Sequence, residues 1–164
     1  MSKGDIKDLI KFLAPFDERT KSIVHWLRDF VWDLYPTANE LIYDNYNALA
    51  IGWSPTVRVG HTFCNIAVWR KGKNIHFGFY WGSEIADPEK KLIGKGNQYR
   101  YLLVEDKDKF PKAYIRKLLK NAFTNSILKV KDPGLLVQGL TITKSVSPAK
   151  RMGKESSSRK RKSK

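Results

Sequence analysis

Hydrophobic positions recur at helical steps in the first third of the chain and at strand steps through its middle. Ile6, Leu9, Ile10 and Leu13 share one helical face and predict a short first helix. It stops at Ala14-Pro15, because proline disfavours helical geometry in the residue before it. Asp17 can cap a second helix, which Ile23, Leu27, Phe30, Val31 and Leu34 carry at three- and four-residue steps to Pro36. Thr37-Ala38-Asn39-Glu40 has the capping-box spacing, in which hydroxyl and carboxylate satisfy each other's backbone donors. A third, short helix through Tyr43 is therefore expected, ending near Asp44-Asn45, where asparagine tolerates a left-handed turn.

From Ala48 the period changes. Ala48 to Trp53, Thr62 to Trp69 and Ile75 to Trp81 are short runs rich in aromatic and β-branched residues, and they predict strands. Ser54-Pro55 through Gly60 and Lys71-Gly72-Lys73 separate them, and such short connections imply an antiparallel meander. In the third run Ile75, Phe77, Phe79 and Trp81 alternate with His76, Gly78 and Tyr80, so two faces of opposite character are expected.

Gly82 to Gln98 is a long connection with a helix-start signal at Asp87-Pro88-Glu89 and a turn through Leu92-Ile93. Tyr99 to Val104 predicts a fourth strand. A closing helix follows Asp108 and Pro111, with Tyr114, Ile115, Leu118, Leu119, Ala122, Phe123 and Ile127 on one side and Lys112, Arg116, Lys117 and Lys120 on the other. Asp132-Pro133-Gly134 breaks it, and Leu135 to Ile142 is apolar enough to pack, an edge strand being one option. The order of elements gives an α+β class, an antiparallel meander covered by helices on one face.

Length and charge refine this picture. At 164 residues the chain suits one core of ordinary size, read as a domain over 1–143 with its stable centre at 17–128. The net charge of +15 is uneven: residues 144–164 hold nine lysines or arginines against Glu155 alone, and read as a disordered basic tail. The folded part is then only mildly basic. Cys64 is the single cysteine, which excludes an internal disulfide framework, and Lys3, Asp5, Lys7 and Asp8 interrupt any signal-peptide core. A cytoplasmic location is expected.

Three stretches read together resemble the YdhG-like family, a domain of unknown function related to the YjbR and frataxin-like grouping. They are Glu40 to Leu49, the run Asp87-Pro88-Glu89-Lys90-Lys91-Leu92-Ile93-Gly94-Lys95-Gly96-Asn97-Gln98-Tyr99-Arg100-Tyr101, and the helix after Phe110-Pro111. The resemblance spans residues 17 to 128. Where many relatives have Gly-Met-Pro, this chain has Asn45-Tyr46-Asn47. The resemblance implies a compact antiparallel sheet backed by helices with no agreed activity, some relatives being described as iron chaperones.

Candidate chemistry centres on the glycine-rich connection. Gly94-Lys95-Gly96 followed by Arg100 can cradle an anion, glycine admitting close backbone N–H groups while Lys95 and Arg100 supply charge. The plainer reading of the same residues, and the favoured one, is a tight turn before an edge strand with Arg100 pairing an acid such as Asp87. A ligand pocket is expected between the sheet edge and this connection, with Tyr46 and Trp81 beside those residues. His61, Cys64 and His76 lack the ligand count of a structural zinc site, and no carboxylate ridge for iron or nucleophile–base pair stands out. No cofactor, metal or catalytic residue is expected. Trp53, Trp69 and Trp81, with Tyr46 and Tyr80, concentrate aromatics on the sheet, and those outside the core, such as Tyr80, require a partner, a ligand or a second chain. The leading expectation is a non-enzymatic binding protein for a small anionic ligand or a protein partner. The alternatives are an accessory nucleic-acid-binding protein acting through Arg159, Lys160, Arg161 and Lys162, and a frataxin-like iron chaperone.

Overall fold

In the computed structural model, which describes residues 6–146, helices α1 (Lys7–Leu13) and α2 (Glu18–Leu34) lie where the periodicity places them. Asp17 caps α2 by accepting a 2.8 Å hydrogen bond from the Thr20 N–H, which satisfies one of the orphan donors at a helix start. Six strands follow in one sheet of order β5-β4-β3-β2-β1-β6: β1 (Asn39–Asp44), β2 (Ala48–Ser54), β3 (Cys64–Trp69), β4 (Ile75–Tyr80), β5 (Tyr99–Leu103) and β6 (Thr141–Val146). The long helix α3 (Lys112–Lys129) connects β5 to β6. The class is α+β and the sheet is mostly antiparallel, with β6 alone running parallel to its neighbour β1.

Three local expectations are corrected. The capping-box segment is not a helix but strand β1, paired to β2 from Asn39↔Ser54 to Asp44↔Leu49. Its side chains explain the change. Glu40 does not fold back on its own backbone but receives Arg28 of α2, and Asn39 Nδ2 donates to the carbonyls of Ser54 and Val137. Tertiary partners therefore override a local signal. Asp87-Pro88-Glu89 also starts no helix: the Asp87 carboxylate accepts from the Lys91 and Leu92 N–H groups, while Lys90, just before them, takes a left-handed φ of 52°. Finally, ordered structure continues past residue 143, since β6 includes Lys144, Ser145 and Val146.

Register divides the sheet into two faces, because directly opposed residues in paired strands point the same way. Ile42, Ile51, Ile66 and Phe77 form one continuous row across β1, β2, β3 and β4, and Leu49, Val68 and Ile75 another. All are buried in the hydrophobic core. Helix α2 meets this face through Trp32, whose ring stands edge-on to Trp53 at 6.4 Å, and through Arg28. Phe110, before α3, packs edge-on to Phe77 at 5.5 Å.

The second face is different. Its central strands carry small side chains, Ala50 and Gly52 on β2, Ala67 on β3 and Gly78 on β4, while Tyr43 stands on β1 and Tyr99 and Tyr101 on β5. Among the described residues no helix is long and apolar enough to cross a membrane.

Candidate ligand-binding site

The second sheet face carries a run of interacting rings. His76 stacks on Tyr101 with centroids 4.0 Å apart and planes 1° from parallel, and Tyr101 continues to Tyr99 at 5.8 Å and Tyr99 to Tyr80 at 5.8 Å. Trp69 closes the other end, donating from Nε1 to His76 Nδ1 at 3.2 Å. That bond requires a bare Nδ1, so the ring carries its proton on Nε2. Tyr99 lies across the sheet over Gly78 and donates its hydroxyl to Asn65 Oδ1 at 3.2 Å. A Cβ at position 78 would fall on that ring, so only glycine leaves it room. Burial, reinforced by neighbouring phenols, pushes the Tyr99 hydroxyl upward, and burial does the same at Tyr80.

None of these rings lines the cavity of about 770 Å³ that is formed by Tyr43, the turn from Val57 to His61, Lys129 and Lys144. Four elements build it. The β2–β3 connection is wound on its own hydroxyls: Ser54 Oγ accepts from the Thr56 N–H at 3.1 Å, and Thr56 Oγ1 accepts from the Arg58 N–H at 3.1 Å. Thr56 Oγ1 also lies 2.8 Å from His61 Nδ1, which orients the imidazole, while Ser126 of α3 donates its hydroxyl to the His61 carbonyl. Trp81 donates from Nε1 to the Gly60 carbonyl at 3.2 Å. On the opposite wall, a register shift beside Tyr43 leaves Lys144 as the extra residue of β6. Its ammonium reaches back to the Val57 carbonyl at 3.0 Å.

The charge of this groove is one-signed. Arg58, Lys129 and Lys144 line it with no carboxylate among the lining residues. Lys129 is paired with Glu84 at 2.6 Å and sits 5.0 Å from the centre of the Trp81 ring. Arg58 is exposed and meets no acid among the described residues. Burial and then the Arg58 charge lower His61 from its ordinary value, so it is neutral at pH 7. Burial, then the nearby Tyr80, raises Tyr43, whose buried hydroxyl has no hydrogen-bond partner. Three other cavities, of about 430, 340 and 240 Å³, each mix acids with cations. The groove is larger than these, and its charged side chains are all positive.

The residues singled out from the sequence are not brought together. Tyr46 sits in the β1–β2 turn, at the end of the sheet where Asp44, Leu49, Val68 and Ile75 lie abreast. Trp81 and Arg100 belong to the opposite end, where Tyr80 pairs with Tyr99. None of the four cavities is lined by any of the three. Trp81 also leaves the face expected of it, since a left-handed φ of 57° turns it out of β4 into a short 3₁₀ turn. Gly94, at φ 120°, passes close to the Tyr99 carbonyl, Lys95 is exposed, and Arg100 Nε donates to the Gly96 carbonyl at 3.3 Å. Arg100 thus commits its Nε to its own loop. Asp87 is opposed by burial, but hydrogen bonds from Tyr114 and the Leu92 and Lys91 N–H groups outweigh it, holding its carboxyl below the usual range, with Arg100 adding the least.

Cys64 belongs to the core face and His76 to the aromatic one, and burial pushes the thiol well above its ordinary value. No three His, Cys, Asp or Glu side chains gather as a metal site among the described residues. On α3, Lys112 and Arg116 lie over the Trp26 and Phe30 rings of α2 at 5.4 and 5.8 Å, so these two cations pack against their neighbour helix. Arg159, Lys160, Arg161 and Lys162 lie outside the described residues. A comparison with family models, curated proteins and solved structures finds no match to this chain.

Proposed function

We propose that this chain is a non-enzymatic, YdhG-like binding protein that holds a small anionic ligand in the groove between the Val57–His61 turn, Tyr43 and Lys144. One observation carries the reading: a cavity of about 770 Å³ lined by three cations, a neutral histidine and no acid. Such a site concentrates anions, and the guanidinium of Arg58 supplies a planar fork that carboxylates and phosphates accept in pairs. The groove offers donors and charge, and the hydroxyl that touches His61, that of Thr56, is buried in the turn and takes no part in the lining, which favours binding over catalysis. A cytoplasmic setting belongs to the same reading, and the buried free thiol of Cys64 accords with it.

The test is thermal stabilisation by phosphate, sulfate and simple carboxylates. Binding to the native state raises its stability by about 2.7 kcal/mol when ligand reaches a hundredfold over Kd. Arg58→Ala should remove the effect and Arg100→Ala should leave it intact. Failure of every anion to stabilise the wild-type chain, or equal loss in both variants, would sink the reading.

A further inference from the structure

The geometry points to proton-coupled capture: the groove takes up its anion together with one proton from solvent, which charges the His61 ring beside the bound oxyanion. This rests on the groove being the anion site, and it adds how that site is regulated.

The field at the ring supplies the coupling. Of the three histidines only His61 lines the groove. Arg58 shares its turn, and Lys129 of α3, Lys144 of β6 and Tyr43 of β1 line the same cavity. Glu84 answers Lys129 at 2.6 Å and takes no part in the lining. With the groove empty the ring therefore sits among cations, and burial together with Arg58 opposes its proton. A dianion held by Arg58 and Lys144 reverses that field, because an opposite charge a few ångströms away favours the charged imidazole. The empty groove repels the proton and the filled groove holds it.

Hydrogen bonding lets the ring charge where it stands. Thr56 Oγ1 lies 2.8 Å from His61 Nδ1, and a hydroxyl accepts as readily as it donates, so the contact serves a bare nitrogen and a protonated one alike. The Thr56 oxygen already accepts from the Arg58 N–H and has a second lone pair for the ring, while its own proton can turn to Ser54 Oγ at 3.5 Å. Ser126 of α3 anchors the His61 carbonyl through either state. His76 is the contrast: its Nδ1 receives the Trp69 N–H, a fixed donor, and protonation there forfeits the bond. With Nδ1 of His61 committed to Thr56, Nε2 is the nitrogen left to donate to the oxyanion.

Isothermal titration of the full chain with sodium sulfate at constant ionic strength tests the coupling. Sulfate stays a dianion from pH 7.5 to 5.5, so a change in affinity belongs to the protein. Between the free-state and bound-state pKa of one group, affinity gains up to about tenfold per pH unit, and sulfate should bind roughly tenfold tighter at pH 5.5 than at pH 7.5. Titrations near pH 6.5 in buffers of different ionisation enthalpy count the protons taken up, and the count should approach one per sulfate. His61→Gln should hold a single affinity across the range and take up no proton. Thr56→Val leaves the charged ring's Nδ1–H without its acceptor and should shrink the gain, which preserves the test if His61→Gln folds poorly. One affinity at every pH in the wild type, or a gain as large in both variants as in the wild type, would overturn the coupling to His61 while leaving the anion groove standing. Absence of sulfate binding at every pH would overturn the groove itself and this inference with it.

Discussion

Arg28 of α2 grips Glu40 of β1 through two hydrogen bonds, Nε to Oε2 at 2.5 Å and Nη2 to Oε1 at 2.8 Å, with neither side chain more than 1% exposed. The pair fastens helix to sheet, and Thr141 extends it to the last strand by donating its hydroxyl to Glu40 Oε1 at 3.0 Å. Removing one charge from such a pair strands the other in the core, which costs about 3–5 kcal/mol, whereas replacing both by apolar groups is far milder. Glu40→Gln should therefore lower the urea midpoint sharply, and Arg28→Met with Glu40→Leu should recover most of it. Equal midpoints for Glu40→Gln and the wild type would show that the pair contributes nothing to stability.

The contact of Tyr99 with Gly78 gives a second expectation. Gly78→Ala places a methyl group where the Tyr99 ring and the Asn65 side chain already sit. Overpacking of this kind costs about 1–3 kcal/mol. The substitution should lower the melting temperature, and combining it with Tyr99→Ala should restore part of the loss because the obstructing ring is gone. Gly60→Ala is the control: a Cβ there meets nothing within 4 Å.

These residues also show what the sequence disclosed. Helices α1, α2 and α3 and strands β2 to β5 follow from hydrophobic period and from proline and glycine punctuation, which are local signals. Strand β1 was hidden because Thr37 and Glu40 have the spacing of a helix cap, and the competing partners of Glu40 are Arg28, twelve residues away, and Thr141, a hundred and one away. Strand β6 was half legible: an edge strand was one option for Leu135 to Ile142, and the edge strand that forms runs Thr141–Val146. Its Thr-Ile-Thr-Lys-Ser-Val run is polar, and its parallel partner lies across most of the chain.

The aromatic character of the sheet was legible, and Tyr80 was rightly set apart from Ile75, Phe77 and Phe79. The groove was not. Tyr43, Arg58, Lys129 and Lys144 come from one strand, one turn, one helix and the bulge of another strand, and no spacing unites them. The Tyr46 and Trp81 pairing failed on register: an antiparallel hairpin sends its turn to the end of the sheet opposite the next connection.

The last strand is held more by polar bonds than by burial, and truncation exposes that. Glu40 N–H donates to the Leu140 carbonyl at 2.8 Å, Thr143 donates to Asp8 at 2.7 Å and Ser145 to Asn45 at 2.8 Å. A chain ending at Leu140 loses these side-chain partners and opens the edge of β1 to other strands. It should melt lower than a chain ending at Val146 and associate at high concentration, read by calorimetry and by light scattering. Identical melting of the two would mean that β6 adds no stability.

The final expectation concerns pH. His76 is buried, which lowers its pKa from the model-peptide value of 6.5, and its Nδ1 must stay bare to accept the Trp69 N–H. His61 is lowered for the same first reason. A histidine whose folded pKa lies below its unfolded one takes up its proton more readily when the chain unfolds, so the unfolded state gains as pH falls through 6.5 and the native state loses stability. The carboxylates shift the other way along the scale. Asp17 and Asp87 are held below 3.8, so their contributions are intact at pH 5 and begin to fail only in more acidic solution. Between pH 7.5 and pH 5 the histidines therefore dominate, and the urea midpoint should decline over that interval. His76→Gln cannot take up a proton there, and it should flatten the decline even if it lowers the midpoint overall, with the His61→Gln variant separating the remaining share. A midpoint constant from pH 7.5 to 5, or a decline as steep in the double variant as in the wild type, would exclude these two rings as its source.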